Sequence, residues 1–194
     1  MTDSNYTSAL SLSASIEAGD LPIIELMKTT LDRIDEVNGA VSAIVSIGDC
    51  DTLMSEAQKA QSSPRKGWLH GIPIAIKDLA NAEGFVTTMG SPLFAGEVAQ
   101  KDDIVVERLK AAGAIVIGKT NTPEFGLGSH TFNPVFGATK NPYDQTRSAG
   151  GSSGGAAAAL ASGMISVADG SDMMGSLRNP AAWNNVYGMR PTFG

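Results

Sequence analysis

The sequence predicts an α/β fold, a mixed β-sheet sandwiched by helices. Three observations carry this. Gly71 to Lys77 (GIPIAIK) is a short apolar run with isoleucine at every second position, and Ala114 to Gly118 (AIVIG) is another; both read as buried strands. Between them, Asp102 stands where it caps a helix carrying Ile104, Val105, Leu109 and Ala112, with Gly113 past its end. Strand, helix and strand at this spacing form a βαβ unit, which brings parallel pairing and helical cover.

The elements before this unit read as scaffold. Pro22 opens a helix whose apolar residues Ile23, Leu26, Met27, Leu31, Ile34 and Val37 recur at helical spacing, and Gly39 is its expected stop. Val41 to Ile47 is a short β-like run, and Asp49 to Gln61 is a second amphipathic helix stopped by Pro64. After the unit, residues 126–151 are rich in Gly, Asn and Pro, leading into GGSSGG at 150–155. An alanine-rich helix (Ala156 to Ser162) follows, then a strand-like ISVA, then loop and a short helix within GSDMMGSLRNPAAWNN. So much turn sequence between well-formed apolar elements marks a site.

Composition narrows the class. The 194 residues suit one domain, and 42% apolar against 18% charged residues supplies a real core. A net charge of −6 repels phosphate backbones and anionic membrane, so neither nucleic acid nor membrane is an expected partner. The single Cys50 excludes an internal disulfide framework, and His70 and His130 alone leave little for a metal site; no metal is expected. Met1 to Leu12 is polar, without a basic region followed by an apolar stretch, and no window approaches the ~20 apolar residues of a membrane span. A cytoplasmic location is expected. The 22 glycines are the abnormal number, over a tenth of the chain against about 7% on average.

Gly150 to Gly154 satisfies G-x-S-x-G in the frame centred on Ser152, as does the next frame centred on Ser153, but a nucleophile elbow needs an acid and a histidine later in the chain, and both histidines precede residue 150. GGSSGG before a helix also fits an anion cradle, yet no Lys-Ser/Thr ending or acidic fingerprint residue supports one. Ser63 to Lys66 matches S-x-x-K, but Pro64 puts it in a loop. What remains is a hydrolase without histidine. Its serine would need a buried lysine whose pKa is depressed by desolvation. Lys77, ending an apolar strand, is the best such lysine; position alone leaves open a lysine that snorkels to the surface.

GGSSGG at 150–155, GSDMMGSLRNPAAW at 170–183 and YGMRPTFG at 187–194 together resemble the signature of the amidase signature family. GIPIAIKD at 71–78 is similar to that family's lysine motif, and GKTNTPEFG at 118–126 to its N-terminal half. The resemblance covers nearly the whole chain. It implies a single amidase domain of which residues 1–194 are the N-terminal portion, with a helical scaffold over about 1–65, a catalytic core over about 66–194, and the C-terminal half missing. It implies a Ser-Ser-Lys triad: Ser176 as nucleophile, Ser152 as bridging serine, Lys77 as base. It further implies a cis peptide bond before Ser152, Ser153 as a supporting hydrogen-bond partner, and Asp172 with Arg178 as a buried pair fixing the loop. The backbone N–H groups of Met173, Met174, Gly175 and Ser176 would form the oxyanion hole.

The implied activity is hydrolysis of a small-molecule amide through an acyl-enzyme, with no cofactor. Family members carry two glycines before the nucleophile, whereas this chain has Met174-Gly175; the Cβ of Met174 disfavours positive φ and is expected to crowd the acyl pocket. Without the later segments the chain is expected to self-associate. Two alternatives stand beside the hydrolase: a catalytically silent fragment or pseudoenzyme acting as a binding module, and an aminoacyl-tRNA amidotransferase subunit.

Overall fold

Local capping sets where the helices begin. Helix α1 (Ala9–Ala18) starts at Ser8, whose Oγ accepts the N–H of Ser11, and ends at Gly19 with φ +81°. Helix α2 (Ile23–Val41) follows Pro22 as expected and buries Ile23, Leu26, Met27 and Ile34 along one stripe. It runs through Gly39 instead of stopping there. The stop is Ser42, left-handed at φ 52°, and Asn38 makes it work: its Oδ1 accepts the N–H groups of Ala43 and Ile44 while its Nδ2 donates to the Ile44 carbonyl. Helix α3 (Cys50–Ser62) is capped by Asp49, whose carboxylate accepts the N–H and hydroxyl of Thr52.

The sheet is laid down next. This computed structural model describes residues 6–192, so the last two residues of the YGMRPTFG segment, Phe193 and Gly194, lie outside it. Strands β1 (Ile44–Ile47), β2 (Pro73–Lys77) and β3 (Ile115–Thr120) are ordered β1-β3-β2. β2 and β3 pair in parallel and β1 runs antiparallel to β3, giving the expected mixed sheet. Helix α4 (Ile104–Ala111) completes the βαβ crossover. The cap of α4 differs from expectation: its N-cap is Asp103, not Asp102. Both carboxylates are drawn to the preceding loop, Asp102 accepting the Glu83 N–H and Asp103 the Asn81 N–H. The ISVA run contributes only a parallel bridge, Ala168 to Ala75.

Alternation along the strands sorts side chains between two cores. Ile74, Ile76 and Val116 pack with Leu12, Leu26 and Val106 on one face. Ala75, Ile115 and Ile117 pack on the other with Ile34, Leu53 and the alanines of α5 (Gly154–Ala161). Both faces are therefore covered, which is why β2 and β3 are buried throughout. Two small ribbons, β4–β5 (Phe132–Asn133, Gly137–Ala138) and β6–β7 (Lys140–Asn141, Asp144–Ser148), lead to α5, and α6 (Arg178–Trp183) follows the last loop. Among the described residues no helix is long and apolar enough to cross a membrane.

Gly39 lies exposed inside α2, and a methyl group added there meets nothing within 4 Å. Replacing it removes backbone freedom from the unfolded chain without a steric cost. Gly39→Ala should stabilise the fold by about 0.5–1 kcal/mol and raise the thermal midpoint by about 1–4 °C. A lowered midpoint in calorimetry would contradict the helical assignment across this position.

Candidate active site

The parity that places Ala75 against α5 places Lys77 on the same face, at the carboxyl end of a parallel strand. Ligand sites of open α/β sheets gather at such ends. What must meet Lys77 there is the start of α5, and glycines allow the approach. A Cβ on Gly155 would run into the Asn121 backbone, and one on Gly154 into Thr131 Oγ1. The closeness is used: Gly155 N–H donates to Asn121 O, Gly154 N–H to Thr131 Oγ1, and Thr131 N–H to Gly150 O. The Gly151–Ser152 peptide bond is cis.

Held this way, Ser152 and Ser153 face the lysine. Lys77 is 1% exposed, and its Nζ donates to Ser152 Oγ at 2.7 Å, Ser153 Oγ at 3.0 Å and Ser171 Oγ at 2.9 Å. Its amine contacts three hydroxyls, and no carboxylate lies in ion-pair range among the described residues. Burial pushes Lys77 down to about 8, against a smaller upward pull from Asp169 and Asp172. The lysine is thus buried, not snorkelling. Lys119, one strand over and equally buried, is held differently: it donates to Ala80 O at 2.7 Å and Thr87 Oγ1 at 2.8 Å and lies 3.4 Å from Asp78 Oδ1. Asp78 in turn accepts the Thr88 N–H and hydroxyl. A carboxylate stands in ion-pair range of Lys119, whereas the hydrogen bonds of the Lys77 amine go to hydroxyls alone among the described residues.

The loop carrying Ser176 is organised by Asp172. This carboxylate, 2% exposed, accepts two bonds from Arg178, Nε and Nη2 at 2.9 Å each. It also accepts the N–H groups of Gly175 at 2.8 Å, Leu177 at 3.2 Å and Arg178 at 3.1 Å, while Arg190 Nε donates to its carbonyl. The Arg178 guanidinium and these amides hold Asp172 well below the usual carboxylate range. Only the acid of this pair is buried; Arg178 is half-exposed, because the loop presents its outer side to solvent.

Ser176 reaches the serine cluster through its backbone: its carbonyl accepts the Ser153 N–H at 2.8 Å. Its hydroxyl makes no hydrogen bond among the described residues, whereas the Lys77–Ser152 link is closed. Gly175 takes the positive φ of +107°, so the methionine before it avoids the left-handed region and projects into solvent. The expected backbone penalty at Met174 does not arise. Of the four N–H groups ascribed to an oxyanion hole, that of Gly175 is already given to Asp172, while those of Met173, Met174 and Ser176 have no acceptor among the described residues. Among the described residues no three His, Cys, Asp or Glu side chains group as a metal would require. Ser171 and Asp169 were missed by motif reasoning. Ser171 sits inside the 170–183 segment without distinction of type, and Asp169, whose Oδ1 accepts the Lys77 N–H at 2.7 Å, announces itself only as a charge ending an apolar run.

A family model described as Amidase matches residues 25–194. The chain is 43% identical over 175 residues to a glutamyl-tRNA(Gln) amidotransferase subunit from Sulfurisphaera tokodaii, covering 90% of this chain and 37% of that relative. It is 41% identical over 199 residues to the protein of the same name from Corynebacterium jeikeium, covering 99% and 40%. Among solved structures, a bacterial aryl acylamidase of the amidase signature enzymes superposes with a TM-score of 0.89 at 31% identity, covering 96% of this chain and 39% of that one. A 6-aminohexanoate cyclic dimer hydrolase superposes with a TM-score of 0.84 at 32% identity, covering 91% and 36%. The chain spans roughly two fifths of the length of these relatives. A match over most of its length, on a fold that gathers the glycine-serine block around a buried lysine, shows that the chain belongs to the amidase signature family.

Proposed function

We propose that the protein is an amide hydrolase working through Lys77, Ser152 and Ser176. The observation that carries this reading is the Lys77 amine, buried and bonded to three hydroxyls, with a pKa pushed down to about 8. In its neutral form the amine keeps two N–H bonds, to Ser153 and Ser171, and turns its lone pair to the Ser152 hydroxyl, taking that proton as Ser152 takes the proton of Ser176. The Ser176 oxygen then bonds to the substrate carbonyl carbon. The N–H groups of Met173, Met174 and Ser176 hold the oxyanion, each such donor being worth about 2.7–4 kcal/mol. The proton returns through Ser152 to the leaving nitrogen, the C–N bond breaks, and ammonia or an amine departs. Water repeats the sequence on the acyl-enzyme and releases the carboxylate. Ser153 and Ser171 keep the amine oriented, and Asp172 with Arg178 keeps the Ser176 loop in place.

A second reading rests on the names of the relatives: the whole protein belongs to a tRNA-dependent amidotransferase as one of its subunits. Incubating it, together with any chains that co-purify with it, with an amide donor and glutamate-charged tRNA separates the two. Nitrogen delivered to the tRNA-borne glutamyl group supports the amidotransferase reading; release to water alone supports the hydrolase.

The nucleophile is tested with a fluorophosphonate probe and mass spectrometry on the whole protein. The adduct should lie on Ser176, and Ser176→Ala should lose labelling by about 10³-fold or more. Ser153→Ala should retain part of it. An adduct on Ser152 or Ser153 overturns the assignment.

The base is tested by the pH–rate profile. The neutral amine is the active form, so the rate should rise through about pH 8 and fall below it by about tenfold per pH unit. Lys77→Ala should remove most of the rate and the acid limb together; an unchanged limb would assign the base elsewhere.

A further inference from the structure

The mechanism above leaves the half-buried Asp169 unused. Asp169 follows Ala168, whose parallel bridge to Ala75 lays this segment along the end of β2. Its Oδ1 accepts the Lys77 backbone N–H at 2.7 Å, and its side chain lines a cavity of about 180 Å³ shared with Ser153, Ala157 and Leu177. Two residues later Ser171 takes a bond from Lys77 Nζ, so one short segment grips both ends of the lysine. The second oxygen of Asp169 makes no hydrogen bond among the described residues.

An asparagine would satisfy the Lys77 N–H equally well, without the cost of burying a charge. The charge is what asparagine lacks. Other ionisable groups around the lysine are accounted for. Asp172, on the same loop, is committed to Arg178 and three backbone amides. Asp78, next in the chain, is turned to Lys119 and Thr88. Lys119 on β3 favours the ionised form of Asp169, and the α5 side contributes uncharged serines. Burial alone pushes Asp169 upward, and its negative charge is the largest influence opposing the downward push on Lys77.

Building on the proposed role of Lys77 as base, we propose that Asp169 is its positioning residue: it fixes the end of β2 through the Lys77 N–H and holds a negative charge beside the base. Without that charge the lysine titrates lower and removes protons less strongly. With it, the amine keeps its strength as a base without being neutralised by a direct ion pair.

The test is the pH dependence of fluorophosphonate labelling in the whole protein, for the parent, Asp169→Asn and Asp169→Glu. Asp169→Asn keeps an acceptor for the N–H and removes the charge. Its labelling midpoint should move to lower pH by about one unit, with a reduced plateau. Asp169→Glu keeps the charge, and its midpoint should stay within about 0.3 unit of the parent. Where Asp169→Asn does not fold, the smaller Asp169→Ser should give the same downward shift. A neutral variant with an unmoved midpoint, slower at every pH alike, overturns the proposal, as does Asp169→Glu shifting like Asp169→Asn. A parent protein that labels without any pH dependence removes the lysine base itself, and this proposal with it; a parent with a clear midpoint leaves the base standing whatever Asp169 does.

Discussion

The site depends on one constraint: the Lys77 amine is taken out of water and given only hydroxyls as neighbours. An ammonium in that position keeps little of its hydration, and serine oxygens replace it incompletely. Desolvation therefore favours the neutral amine, which is the form a general base needs. Lys119 shows the contrast within the same sheet. It is as deeply buried, and burial pushes it down as well, but a carboxylate 3.4 Å away opposes that push and draws it into an ion pair.

Much of the remaining architecture serves to bring three hydroxyls to one amine. The strand alternation that buries Ile74 and Ile76 on one face turns Lys77 toward the other. The glycines at 154 and 155 let α5 settle against Asn121 and Thr131, which lowers Ser152 and Ser153 onto the lysine. The Asp172 carboxylate gathers three backbone amides and an arginine, and the loop it organises carries Ser176 to the Ser153 N–H. Most polar side chains buried in this region are paired with one another, with Thr120 Oγ1 and Thr122 Oγ1 as exceptions among the described residues.

How much of this was legible in the sequence follows the range of the interactions. The two buried strands and the crossover helix were legible, because apolar runs and their spacing are local signals. Lys77 could be picked out as the lysine ending such a run, although burial versus snorkelling was not decidable from position. Helix ends were less legible: Gly39 looks like a stop, but the stop was made by Asn38 bonding forward into β1. At α4 two adjacent aspartates offered themselves as caps, and a loop about twenty residues earlier claimed both side chains. Ser171 and Asp169 were invisible for the same reason, since their roles exist only once the 168–172 segment lies beside β2. The backbone penalty expected at Met174 is absent because the positive φ falls on Gly175, which leaves the methionine ordinary backbone.

The central claim, that burial among hydroxyls makes Lys77 a base near neutral pH, is tested most directly by titrating the amine itself. Nitrogen-15 NMR of lysine-labelled protein, with Lys77 assigned by its loss in Lys77→Met, reads its protonation without any need for turnover. The account predicts a midpoint of about 8. A midpoint near the ordinary lysine value of about 10.4 would contradict it.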